Sequence, residues 1–244
     1  MSDKKPSFKE IRELTKGAVA SNPGKAKLNP IQWIRYNWIP FRRQVFWLVA
    51  GWFLMMKIHW LFGLVFIGAL LYTLFHWWTA TNLFKIGDVN PGKVISVKPD
   101  RIAVATNMSM GFGDYPIVKI VDTTLPKEDR VIGKIIPTIA LYNPNPHGYP
   151  FWSEFHPSPI AHGTTNRVKV LHYTNTYDES DISALEKGIA QLPSMEPETY
   201  KINEETSGWK EYKHLTIGSL SKLKGPDYYK KLADKEAKDN GDLK

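Results

Sequence analysis

The sequence predicts a membrane α-helical hairpin followed by a mostly β domain of the α+β class, in which a small antiparallel β-barrel or sheet is capped by a helix. Three observations predict it: a nearly uninterrupted apolar block, short alternating runs after residue 84, and one amphipathic stretch near residue 185. The 244 residues include no cysteine. Disulfide scaffolds, thiolate zinc sites and cysteine nucleophiles are therefore excluded.

The positive charge of the chain is concentrated before the apolar block. Residues 1–43 hold ten Lys or Arg against three acidic residues, whereas residues 85–244 hold 21 of each sign. A nucleic-acid-binding protein would spread its basic residues over a folded face, so we predict no nucleic-acid partner. Instead, the basic segment 1–40 is predicted to be cytoplasmic, because Lys and Arg flanking a membrane segment stay on that side. Three arginines adjoin the block and are predicted to lie at the lipid surface: Arg35, Arg42 and Arg43.

The apolar block is too long for one membrane crossing. As a helix, residues 45–78 would extend about 50 Å, whereas a hydrocarbon core is about 30 Å thick. We predict a two-helix transmembrane hairpin over residues 41–84, with crossings at 41–56 and 60–78 and the reversal at Lys57.

An alternative reading has an interfacial first helix, rich in tryptophan, and a single crossing at 58–78. The two readings differ in where the soluble domain lies. The hairpin returns it to the cytoplasm, and the single crossing places it outside. If the chain forms the hairpin, the sequence predicts a multi-pass protein of the bacterial inner membrane that is embedded in the lipid bilayer.

Residues 85–202 are predicted to form the β-rich domain. Five runs alternate apolar and polar residues with the period of a half-buried strand. They cover residues 93–98, 101–106, 115–121, 132–142 and 167–173. Pro99 and Asp100 predict a tight turn between the first two runs. Pro116 and Pro137 are predicted at strand starts, edges or bulges, because proline cannot donate to a central ladder.

One amphipathic helix is predicted over residues 179–192 as the cap of the β-domain. Ser180 is the predicted N-cap and Pro193 ends the helix. Residues 203–244 form a charged C-terminal extension, partly helical over 226–238.

The loop from Tyr142 to Thr165 contains the candidate ligands for a metal. His147, Glu154, His156 and His162 offer the imidazole and carboxylate groups of a zinc site. Their spacing matches no compact metal motif, and no coherent catalytic set is found. We therefore predict no catalytic residue, no metal and no cofactor, and keep a metal-dependent hydrolase as an alternative.

The same loop is rich in proline and aromatic residues, which favours a rigid binding surface. Its predicted contact residues are Trp152, Phe155 and His156. The predicted function is a non-enzymatic binding or scaffolding module that presents a cytoplasmic β-domain to a protein partner. A further alternative is an anionic-lipid sensor acting through the basic N-terminal segment, which salt would weaken.

Several segments resemble an uncharacterised bacterial family, a domain of unknown function. They are GDVNPGKVISVKPDRIAVATNM from Gly87, GDYPIVKIV from Gly113, IPTIALY from Ile136, the Trp152–Pro159 string, TTN from Thr164 and LEKGIAQLP from Leu185. The resemblance covers roughly residues 40–202. It implies a hydrophobic membrane segment before a β-rich domain, and it implies no catalytic residue or ligand.

Overall fold

The computed structural model describes residues 24–111, 113–145, 149–174 and 176–217. The helices are α1 (Pro30–Tyr36), α2 (Trp38–Lys57), α3 (Gly63–Ile86), α4 (Arg167–Thr174) and α5 (Glu179–Ala190). The strands are β1 (Asp88–Val97), β2 (Asp100–Asn107), β3 (Pro116–Asp122), β4 (Ile135–Asn143), β5 (Glu154–Pro159) and β6 (Thr199–Lys201). Most of the predicted basic N-terminal segment and the predicted C-terminal helix lie outside the described residues.

Helices α2 and α3 are the two long apolar helices of the predicted hairpin region. They pack side by side: a Cβ on Gly51 would lie 2.9 Å from the backbone of Phe66. A 3-10 turn, Trp60–Phe62, leads from the reversal into α3. Among the described residues, the run Trp60–Ile86 is the one helix long and apolar enough to cross a membrane by length and composition.

The chain entering α2 is bonded to the chain leaving α3. The Gly24 N–H donates to the Gly87 carbonyl at 2.9 Å, and the Ala26 N–H donates to the Phe84 carbonyl at 2.7 Å. The Phe84 side chain is fully buried in a cluster that also contains Trp33. The segment that precedes α1 and the end of α3 therefore lie together, against the β-domain.

The six strands form one antiparallel sheet in the order β5-β4-β1-β2-β3-β6. Of the two predicted forms, barrel or sheet, the structure has an open sheet, curled into a half-barrel. Lys119 on β3 shows the curl, because its Nζ donates to the Phe155 carbonyl on β5 at 2.7 Å although three strands separate them. The concave face holds the main core, in which Trp209 is fully buried.

Two sequence-based assignments are wrong. The predicted strand 167–173 is helix α4, whose Val170 and Tyr173 pack beside α3 while Val168 and Leu171 are exposed. A short apolar run can fit either the period of a strand or that of a helix, and here the packed residues Val170 and Tyr173 follow the helical spacing of three.

The predicted loop 142–165 contains strand β5, paired with β4 at the edge of the sheet. Pro157 and Pro159 obscure this strand in the sequence, although an edge strand tolerates proline. Pro116 begins β3 as predicted. Pro137 instead lies inside β4, opposite Pro91 and directly before the pairing with β5 begins.

Helix α5 lies over the convex face of the sheet, where Leu185 is fully buried and a Cβ on Gly188 would lie 2.6 Å from Val118. Its N-cap is Asp178, not the predicted Ser180. The Asp178 carboxylate accepts the N–H of Asp181 at 2.9 Å, and the Asp181 side chain accepts the Asp178 N–H in return. A carboxylate one turn before the apolar face makes this reciprocal capping box, which a serine two residues later cannot form.

Candidate functional site

The three predicted contact residues differ in their access to a partner. Phe155 is fully buried in the concave core, so its ring has no exposed surface for a partner in this fold. Trp152 is half-buried, with its ring 5.8 Å from that of Tyr142. His156 is exposed.

His156 and Glu154 are the pair of predicted metal ligands that the structure brings together. His156 Nε2 lies 3.5 Å from Glu154 Oε2, and Lys119 Nζ lies 3.9 Å from Glu154 Oε1. Desolvation and the nearby Lys119 charge lower the pKa of His156, against the opposing effect of Glu154. Burial likewise lowers the pKa of Lys119. The arrangement is a neutral imidazole beside a carboxylate that the lysine already neutralises.

His162 lies apart from this pair and has a structural role. Its Nε2 donates to the Thr124 carbonyl at 2.7 Å, the Ser158 hydroxyl lies 3.3 Å from Nδ1, and its ring stacks on Tyr36 at 4.4 Å. Burial lowers the pKa of His162 to about 4. Both ring nitrogens are thus engaged by protein groups. Within the described ranges, no group of three or more His, Asp or Glu is placed to hold a metal ion, and His147 lies outside those ranges.

The three arginines predicted at the lipid surface are all exposed. Arg35 lies in the last turn of α1, with its guanidinium 5.9 Å from the centre of the Tyr36 ring. Arg42 and Arg43 lie near the start of α2. Their contact with lipid stays a prediction.

A cleft of about 700 Å³ opens between the sheet and α5. It forms because β1 and β2 separate beyond the pair Gly92 and Val104, where β1 continues along β4 and β2 continues along β3. Its polar lining includes Asp88, Asn90, Thr106, Asp114, Asp181 and Lys187. With three carboxylates and one lysine among these six side chains, the lining favours polar or cationic groups.

The hydroxyl of Tyr142 contacts three of the lining residues at the floor of the cleft. It lies 2.6 Å from the Thr106 hydroxyl, accepts from Asn90 Nδ2 at 3.2 Å and lies 3.3 Å from Asp88 Oδ2. Burial and the Asp88 charge raise the pKa of Tyr142, so the phenol stays protonated. From the α5 side, the Tyr177 hydroxyl donates to the Asn90 carbonyl at 2.9 Å. This network fixes the shape of the cleft floor.

Sequence reasoning missed these residues as a site, although two of its motif segments contain them. The available signal was polar residues at core-facing positions. Asp88 and Asn90 share a strand face with buried Val94, and Tyr142 shares one with buried Ala140. A buried polar side chain needs a hydrogen-bonding partner, so inward polar positions on adjacent strands predict a network.

Residues 77–193 match a family model described as "Protein of unknown function (DUF3239)". The predicted resemblance to an uncharacterised domain family is confirmed for these residues. The DUF3239 segment, as we call residues 77–193, runs from the last turns of α3 through β5 to the end of α5. All the residues of the Tyr142 network lie within it.

One solved structure similar to the chain is a crystal structure of a "putative membrane protein" from Corynebacterium diphtheriae. It is 18% identical, with a TM-score of 0.41, and the match covers 47% of this chain and 100% of that one. No curated protein matches the chain.

Proposed function

We propose that this protein is a membrane-anchored, non-enzymatic binding module of the bacterial inner membrane. In this proposal α2 and α3 cross the bilayer twice, and the β-domain faces the cytoplasm, where it receives a protein partner. The observation that carries the proposal is the pair of backbone hydrogen bonds from Gly24 to Gly87 and from Ala26 to Phe84. They hold the chain before the helix pair and the chain after it on the same side of any membrane that the helices enter.

The dimensions of the helices support two crossings. Helix α2 has 20 residues, or about 30 Å, against a hydrocarbon core of about 30 Å. Helix α3 has 24 residues, and its part before Ala80, where it enters the core of the β-domain, is about 26 Å long. Arg42 and Arg43 lie one turn inside α2, and helical side chains lean toward the N-terminus, so both guanidinium groups can reach the headgroups by snorkelling.

The exposed apolar side chains support burial of both helices in lipid. Large side chains on α2 and α3 are mostly exposed, among them Phe46, Trp47, Val49, Trp52, Phe53, Leu64, Ile67, Leu71, Leu74, Phe75 and Trp78. An apolar surface of this extent exceeds the few hundred Å² that soluble monomers expose. A bilayer would remove it from water.

The same hydrogen bonds support the hairpin over the single-crossing alternative. A single crossing would place Gly24 and Gly87 on opposite faces of the membrane, where their backbones could not bond. Arg35 before α2, and Arg42 and Arg43 in its first turns, favour the cytoplasm for both.

The cleft is the proposed binding surface of the module. It has a size suited to a ligand or a partner side chain, and a pre-formed polar floor. The Tyr142 hydroxyl is hydrogen-bonded to its neighbours and its pKa is raised, so it stays protonated and is a poor nucleophile. The network is therefore better suited to maintaining the shape of the cleft. This favours binding over catalysis.

Single-cysteine labelling tests the topology without background, because the chain has no cysteine of its own. One variant is His59→Cys, at the reversal between the helices, and the other is Lys210→Cys, on an exposed turn of the β-domain. With a membrane-impermeant maleimide, His59→Cys should react in intact spheroplasts and Lys210→Cys only after permeabilisation. Reaction of Lys210→Cys in intact spheroplasts, or of His59→Cys only after permeabilisation, would contradict the proposed topology.

Photo-crosslinking tests the cleft. A photoreactive amino acid at Lys187, an exposed residue of the lining, should capture one dominant protein in cells. Filling the cleft with Ala184→Trp should abolish the capture, while the same photoreactive group at Lys210 serves as the matched control. Equal capture from both positions would contradict the cleft as the binding surface.

A further inference from the structure

We propose that the loop between β3 and β4, residues 123–134, inserts its tip into the lipid interface beside the hairpin. The tip is Val131 and Ile132. This second lipid contact goes beyond the proposed function and rests on the insertion of the hairpin, which the experiment below tests separately.

The tip exposes two adjacent β-branched side chains. Val131 is 57% exposed and Ile132 is 65% exposed, whereas the apolar side chains of β1 to β4 are largely buried in the two faces of the sheet. The turn that follows has Gly133 at φ +86°, with open space around it. The apolar pair therefore points away from the core.

Polar contacts hold the tip in this exposed position. Lys134 Nζ donates to the Glu128 carbonyl at 2.7 Å and to Asp129 at 2.6 Å. Arg130 pairs with Asp100 at 2.9 Å. Because the loop is already ordered by its own hydrogen bonds, insertion of the apolar pair would cost little additional conformational entropy.

The loop is connected through His162 to the point where the chain enters α2. Tyr36, two residues before that helix, stacks on His162, which in turn bonds to the Thr124 carbonyl in this loop. The charges of Glu128, Asp129 and Arg130 act on the Tyr36 phenol, which places the rest of the loop close by. If α2 enters the bilayer at its first turn, the loop lies at the level of the headgroups.

A lipid surface fits this tip better than a protein does. The apolar pair adjoins the proposed membrane surface, and charged side chains of both signs flank it, with Arg130 paired to Asp100 and Lys134 paired to Asp129. An apolar tip with a paired, charged border suits a lipid interface, because the apolar groups enter the acyl boundary while the charged groups stay with the hydrated headgroups.

Depth-dependent quenching tests the proposal on the full chain in nanodiscs of phosphatidylethanolamine and phosphatidylglycerol. An environment-sensitive dye is attached to Ile132→Cys, to Leu64→Cys on the hairpin, and to Lys210→Cys as the control. Lys210 lies on the turn whose Gly208 donates to the Asp114 carbonyl. Asp114 in turn accepts from Asn107 at the end of β2, about 23 Å along the strand from Asp100, the partner of Arg130. Lipids carrying a spin label near the headgroup should quench positions 132 and 64 at least twofold and leave position 210 unchanged.

The outcomes separate this proposal from the topology. Quenching at position 64 without quenching at 132 overturns the loop proposal and leaves the hairpin intact. Absence of quenching at 64 overturns the hairpin, and the loop proposal with it. A blue-shifted dye at 132 that lipid quenchers do not reach indicates a protein contact and also overturns the lipid assignment.

Discussion

Mild acid should destabilise the β-domain through one buried side chain, His162. The ring is 4% exposed, donates to the Thr124 carbonyl at 2.7 Å and stacks on Tyr36. Burial lowers its pKa to about 4, because a charged imidazole would lose its hydration there. The folded protein therefore holds His162 neutral at pH values where the unfolded chain already binds a proton.

The sign and size of the effect follow from that difference in pKa. Between the unfolded pKa of about 6.5 and the folded value, the unfolded state carries more protons, so the free energy of unfolding decreases as the pH falls. The stabilisation is complete above the unfolded pKa. By pH 5 it should have decreased by about 2 kcal/mol, and it should be fully lost near the folded pKa.

Chemical unfolding of the full chain in a mild detergent, at pH 7.5 and pH 5, measures this loss. The informative variant is His162→Gln, which cannot titrate, and His156→Gln is the matched control at an exposed histidine. We expect His162→Gln to remove most of the pH dependence and His156→Gln to retain most of it. Parallel loss of stability in the wild type and His162→Gln would refute the reasoning.

Three further substitutions test the packing and polar contacts. Tyr142→Phe should lower the free energy of unfolding by about 1–3 kcal/mol, because it leaves buried partners of the hydroxyl unsatisfied. The control Tyr200→Phe, which removes exposed hydrogen bonds, should lower it by less than about 0.5 kcal/mol. Gly51→Ile should separate α2 from α3 and lower the thermal stability in detergent, whereas Gly68→Ile should be tolerated, because no atom lies within 4 Å of the added Cβ. Asp178→Ala should destabilise α5 by about 1 kcal/mol in the same unfolding assay.

The sequence predicts a helix or strand best where its apolar residues fit only one of the two periods, helical or alternating. The apolar block has no polar face, and the observed α2 and α3 lie within a few residues of the predicted crossings, except that α3 continues to Ile86. The strands β1 to β4 are seven or more residues long, and a predicted run falls on each of them, although the run 93–98 covers only the second half of β1. The sequence does not predict α4, whose apolar residues fit both the helical and the strand period, or β5, which has two prolines among its six residues.

The candidate cleft could not be predicted because its residues are distant in the chain. Asn90 and Tyr142 are 52 residues apart and bond at 3.2 Å only because β1 and β4 are neighbours in the sheet. The cleft itself depends on the separation of β1 from β2 beyond Gly92, which is a property of register rather than of residue type. Conversely, Phe155 looked like a contact residue because sequence patterns do not reveal which aromatic side chains are buried.

Phe84 lies at the junction between α3 and the β-domain, which holds the proposed binding cleft. Phe84 belongs to α3, yet its ring is fully buried against Trp33 at 5.7 Å. A Cβ on Gly163 would lie 2.3 Å from the same ring, so this glycine makes room for it. The last turns of the apolar helix are thus part of the core of the β-domain, with Gly87 as the connection to β1. A flexible tether would let a domain sample many orientations and bind partners anywhere within its reach. If α3 crosses the bilayer as we propose, a helix that ends inside the domain core would fix the height and orientation of the cleft above the lipid, an arrangement that suits a partner held at the membrane.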